Sequence, residues 1–117
     1  MGRAMPFLPR ARAGAMLLAL SCQTTPPPAA NHVNAEDFQF MPESLSISLG
    51  EKVTWVNQGA TPHTSTSGTN GVADGRWDSP SLAHGDSFQR TFDSTGTFPY
   101  YCRFHSGSGM KGKVVVR

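Results

Sequence analysis

Leu45, Ile47 and Leu49 alternate with Ser44, Ser46 and Ser48, and from Val33 onward no run sustains a helical period. That two-residue rhythm is the mark of a half-buried strand, and it recurs along the chain. Val53 and Trp55 share one face of a strand running to about Asn57, after a turn at Gly50-Glu51. Ser87 to Phe92 forms another run, in which Arg90 shares the parity of Phe88 and Phe92; this places Arg90 near an edge, its stem over apolar surface and its head in water. Gly96 opens a penultimate strand with Phe98, Tyr100 and Cys102 on one face and Thr97, Tyr101 and Arg103 on the other. Pro99 within it has no amide to give a ladder, so that position is unpaired or bulged. Lys113 to Arg117 closes the sheet, and Trp77 is the one large anchor in a polar stretch between Gly59 and Pro80. Short strands separated by frequent turn residues predict an all-β Greek-key sandwich or barrel of about seven or eight strands.

The first residues belong to something else. Arg3, Arg10 and Arg12 precede a short apolar run, Ala13 to Ser21, too short for the roughly 20 residues that span a bilayer. Residues 1–21 read as an export signal, the alternative being an N-terminal helix of the domain. The signal ends at Ser21-Cys22, and ALSC resembles the lipobox of bacterial lipoproteins, with Ala19 where that family favours Leu. The resemblance implies a lipidated Cys22 that anchors without spanning, against ordinary cleavage nearby. Residues 22–32, with Pro26, Pro27 and Pro28, form a Pro-rich extended tether. Residues 33–117 are the domain. Export places it in the periplasm or on the outer face of a bacterial membrane.

Removing the leader removes the basic balance. Ten Lys+Arg less Arg3, Arg10 and Arg12 leaves seven against eight Asp+Glu, a formal charge of −1. No basic patch then argues for nucleic acid. Cys102 is left as an unpaired thiol in an oxidising compartment, because a bridge to Cys22 would staple little. Bound metal explains such a thiol; a disulfide-linked dimer is the plainer alternative.

The segment YYCRFHSGSGMKGKVVV sets Cys102, His105 and Met110 in the pattern Cys-x-x-His-x-x-x-x-Met. A thiolate, an imidazole and a thioether on one loop suit a soft or borderline metal. Gly107 and Gly109 allow the loop to turn back. His63, in the loop after the Val53–Trp55 strand, is the natural second nitrogen. Two His, one Cys and a weak axial Met make an electron-transfer copper site. Zinc would want a conventional fourth ligand in place of Met, and covalent haem attachment needs a Cys-x-x-Cys-His that is missing. A multicopper oxidase needs several domains and His-x-His pairs, and the sequence has neither.

These pieces together resemble the cupredoxins, and within them the plastocyanin and amicyanin group. The likeness runs over roughly residues 33–117 and includes VTWVNQ…PHT, GDSFQRTF, GTFPYYC and GMKGKVVV. The resemblance implies one copper ion held by His63, Cys102, His105 and Met110. It implies a one-electron carrier rather than an enzyme, a monomer that meets a redox donor and a redox acceptor, with the membrane touched only through a lipid anchor. Copper buffering or delivery by a lipoprotein is the alternative, and a metal-free interaction sandwich a third reading. Thr64 stands where plastocyanins carry Asn, and its hydroxyl is expected to bridge the two ligand loops. Phe104 stands where they carry Pro, and its N–H is expected to donate to the Cys102 sulfur. The edge of His105, framed by Phe104 and Gly107, is the implied electron route, with an outward-pointing Tyr101 as a second candidate. His32 and His84 fit no ligand position, Trp55 and Trp77 read as packing, and Asp78 and Asp86 read as turn or surface charges.

Overall fold

A computed structural model describes residues 31–117. The expected signal (1–21), the Cys22 lipidation site and the tether as far as residue 30 lie outside the described residues. Nine strands are present among those described: β1 (His32–Glu36), β2 (Gln39–Met41), β3 (Ser44–Ile47), β4 (Lys52–Asn57), β5 (Thr66–Thr69), β6 (Val72–Asp78), β7 (Ser87–Thr91), β8 (Gly96–Tyr101) and β9 (Lys111–Val116). They form two sheets, ordered β2-β1-β4-β7 and β3-β9-β8-β5-β6. The chain crosses repeatedly from one sheet to the other, the connectivity of a Greek-key sandwich. Two pairings are parallel, β1 with β4 and β3 with β9; the others are antiparallel.

The inner faces carry the alternation that the sequence shows. Val53 and Trp55 of β4, Phe98 and Tyr100 of β8, and Val114 and Val116 of β9 are all buried. Trp55 lies at the centre of an aromatic cluster, with ring centroids 5.3 Å from Tyr100, 5.8 Å from Trp77 and 6.0 Å from Phe88. Both tryptophans are therefore packing residues. Arg90 does sit on an edge strand, β7, but its guanidinium stacks 5.0 Å from the Trp77 ring and donates to the Arg76 carbonyl (3.1 Å). The β5–β8 ladder pairs Thr66 with Tyr101 and Ser67 with Tyr100 and stops before Pro99, as a residue without an amide requires.

Three expectations are corrected. The strand count exceeds seven or eight because the polar stretch after Gly59 contains a hairpin, β5–β6, whose buried side chains on β5 are the hydroxyls of Thr66 and Ser67. Ser65, Thr66 and Ser67 are buried, and the Ser67 hydroxyl accepts from the Trp77 amide (2.9 Å) while donating to the Trp77 carbonyl (3.1 Å). Leu49 lies beyond β3 and is exposed, its amide spent on the Arg117 carbonyl. Tyr101 is buried, not outward in solvent; it lines a cleft of about 540 Å³ with Asn70, Lys111 and Lys113.

Candidate metal centre

One end of the sandwich gathers two loops. The first leaves β4 at Asn57, whose buried side-chain amide donates to the carbonyls of Thr61 (2.9 Å) and Leu82 (2.7 Å). Its side-chain oxygen accepts from the Gly59 amide (2.7 Å). One side chain thus spans the turn that delivers His63. His63 is then fixed by a two-way backbone bridge with Leu82, at 3.1 and 2.8 Å. Its ring is fully buried.

The second loop follows β8. Cys102 donates its amide to the Met110 carbonyl (3.1 Å), and the His105 carbonyl accepts from the Met110 amide (3.3 Å). A single 3-10 turn over Ser106–Ser108 separates them, ended by Gly109 at φ 78, a left-handed conformation that glycine adopts without strain. Gly109 alone supplies the reversal expected of the two glycines; Gly107 is not left-handed. Cys102 and Met110 are buried within the same apolar cluster as Trp55 and Tyr100, whereas His105 keeps part of its surface in solvent.

The loops meet tightly. Cys102 Sγ lies 3.7 Å from His63 Nδ1 and 3.5 Å from His105 Nδ1, and the three donor atoms all fall within 4.8 Å of one another. Thiolate and imidazole bonds to a first-row divalent ion are about 2.3 Å and about 2.0–2.1 Å. At tetrahedral-to-trigonal angles such bonds put sulfur and nitrogen roughly 3.6–3.8 Å apart. The observed separations fit one shared ion. Burial holds the His63 imidazole below its ordinary protonation range, the His105 ring adding to the effect and Asp37 opposing it. A bare nitrogen on His63 is what a metal needs.

Thr64 bridges the loops as expected: its hydroxyl accepts from the Arg103 amide (2.9 Å) and lies 3.0 Å from the Thr66 hydroxyl. Asp78 is a surface partner of that loop, accepting from Arg103 Nε at 2.9 Å and from the Thr66 hydroxyl at 2.8 Å. The expected bond from the Phe104 amide to the Cys102 sulfur is not formed; among the described residues the polar partners of that sulfur are the two ring nitrogens. His32 and His84 stand outside the cluster, His84 exposed with its Nδ1 3.0 Å from the Gly59 carbonyl. Two residues that the sequence did not single out complete the surroundings. Asp37, in the β1–β2 turn, places Oδ1 3.3 Å from His63 Nε2. Phe38 beside it sets its ring edge-on to His105, centroids 4.9 Å apart.

A sandwich with two imidazoles and one thiolate converging at its end has relatives. The chain is 38% identical over 85 residues to plastocyanin of Scenedesmus fuscus, covering 67% of this chain and 86% of that one. It is 37% identical over 84 residues to chloroplastic plastocyanin of Physcomitrium patens, covering 66% of this chain and 49% of that longer one. Among solved structures it superposes on a purple cupredoxin from Nitrosopumilus maritimus with TM-score 0.67 at 30% identity, over 74% of this chain and 98% of that one. An oxidised amicyanin variant gives TM-score 0.65 at 27% identity, over 75% and 82% of the two chains. The model of copper binding proteins, plastocyanin/azurin family, matches residues 28–117, which takes in both loops and every strand between them. The arrangement of donors and the descent of the chain agree: it is a cupredoxin, a member of the plastocyanin/azurin family of copper-binding proteins.

Proposed function

We propose that this protein carries single electrons between redox proteins outside the cytoplasm, on one copper ion that His63, Cys102, His105 and Met110 would hold. The observation that supports it most is the burial of a thiol sulfur between two ring nitrogens at 3.7 and 3.5 Å, on loops each held by its own backbone hydrogen bonds and joined through the Thr64 hydroxyl. Copper supplies a one-electron couple that a thiolate and imidazoles can hold in either state. The chain supplies the rest. Asn57 and the Leu82 bridge keep His63 still, while the bonds of Met110 to Cys102 and His105 keep the second loop still. Ligands that do not move make each transfer cheap in reorganisation. Cys102 and His63 are fully buried and face one another, not a substrate, and the reading is transfer without bond-making.

His105 is the ligand that reaches the surface, so its edge is the route for the electron. It is framed by Phe104 and Phe38, both about half exposed (49% and 53%), an apolar collar suited to brief contact with a partner protein. The buried Tyr101 is not such a route. We place the mature protein, a monomer, in a bacterial periplasm or on the outer face of the membrane. Cys22 is its lipid anchor, the export signal (1–21) having been removed.

Expression of the full chain in a bacterial host tests both parts. The membrane fraction should yield a mature chain beginning at Cys22 with added lipid mass; an unmodified soluble chain would remove the anchor. Copper-loaded protein should cycle reversibly by one electron and keep its metal for hours against a competing chelator. Rapid surrender of copper to an acceptor protein would turn the reading toward delivery.

A further inference from the structure

The His63 ring offers its two nitrogens to two different partners. Nδ1 faces the Cys102 sulfur at 3.7 Å, and Nε2 faces Asp37 Oδ1 at 3.3 Å. A neutral imidazole carries one proton, and which nitrogen carries it is set by the partner of the other. A buried ring N–H left without an acceptor is costly, and the Leu82 bridge fixes the backbone of His63 without choosing between its nitrogens.

We propose that Asp37 is a positioning residue of the metal centre. Its carboxylate accepts the Nε2 proton of His63, holds Nδ1 bare toward the sulfur, and by its negative charge favours the more highly charged state of the bound ion. The proposal rests on the copper reading and deepens it.

The carboxylate is itself held from several sides. Oδ1 accepts from the amide of Thr61 (3.2 Å) and from its hydroxyl (3.1 Å). The Ala60 amide lies 3.0 Å from Oδ1 and 3.2 Å from Oδ2. Those donors hold the carboxylate in place beside the ring. Space is kept open for the contact. A Cβ placed on Gly59 would collide with the Asp37 carboxylate and lie 2.9 Å from His63 Nε2. An outer partner that orients a ligating histidine also raises its basicity as a ligand.

The experiment compares Asp37→Asn and Asp37→Ala with the wild type, in the full chain. Asparagine keeps an oxygen for the Ala60 and Thr61 amides and removes the charge; alanine removes both. In copper-loaded protein the preference for Cu(II) over Cu(I) should fall about tenfold in Asp37→Asn, a rise in midpoint potential of about 59 mV for one electron. In metal-free protein, ¹⁵N shifts of the His63 ring should report a protonated Nε2 in the wild type and a mixture of tautomers in Asp37→Ala. A wild-type potential in Asp37→Asn would overturn the electrostatic role, and an unchanged tautomer in Asp37→Ala would overturn the positioning role. A wild-type chain that formed no blue centre with copper would sink the copper reading alone, because the tautomer is read without metal.

Discussion

Cys102→Ser leaves the copper-loaded protein colourless. An intense blue band needs a thiolate sulfur bonded to copper(II), and Cys102 is the one thiol among the described residues. Serine is nearly the same size, so the loops around it keep their shape: the Cys102 amide still reaches the Met110 carbonyl and the Arg103 amide still reaches Thr64. What changes is the donor. An alkoxide is not available near neutral pH, and a neutral hydroxyl is a poor ligand for a borderline ion. Loss of a partner that only orients a ligand costs roughly 10–100-fold in metal affinity; loss of the ligand itself should cost more. Absorption and spin-resonance spectra of the variant with added copper(II) check this, with circular dichroism to show that the sandwich survives. Blue colour retained in a folded Cys102→Ser would mean that sulfur is not a ligand, and the assigned site would be wrong.

The parts of this site that the sequence reveals are those made by neighbours along the chain. Cys102, His105 and Met110 lie on one loop, and their residue types alone narrow the metal. His63 is legible because a strand pattern, Val53 and Trp55, precedes it and because the ligand set lacks one nitrogen. Asp37 and Asn57 escape that reading. Asp37 meets His63 across 26 positions and Asn57 meets Leu82 across 25, and neither contact leaves a local pattern. The hairpin β5–β6 is hidden for a related reason. The buried side chains of β5 are Thr66 and Ser67, satisfied by hydrogen bonds to Asp78 and Trp77 of β6 rather than by apolar burial, and β6 buries Trp77 alone, so no period of hydrophobicity marks the hairpin. Tyr101 shows the limit of alternation itself. Parity assigns it to the face opposite Cys102 but says nothing of what covers that face, and the residue is buried.

The metal and the core are coupled, and Trp55→Ala should expose the coupling. Trp55 is fully buried and touches Tyr100, Trp77 and Phe88, so truncation opens a large cavity in the middle of the sandwich. Such a change costs about 3–5 kcal/mol. Small domains hold only the lower part of the roughly 5–15 kcal/mol range typical of folded proteins, because their surface is large for their volume. Metal-free Trp55→Ala should therefore melt about 15–30 °C below the metal-free wild type, close to ambient temperature. Copper favours the folded chain, where the three donors converge within 4.8 Å, over the unfolded one, where they are scattered. At a thousandfold excess over its dissociation constant it contributes about 4 kcal/mol, enough to offset most of the loss. The variant should be poorly folded without copper and cooperatively folded with it, in melts followed by circular dichroism. Because Cys102 and Met110 belong to the same buried cluster as Trp55, the blue band of the loaded variant should also report whether the ligand loop has kept its place. A metal-free variant as stable as the wild type would show that the aromatic cluster does not carry the fold. A melting temperature unmoved by copper would show that the ion does not select the native loops.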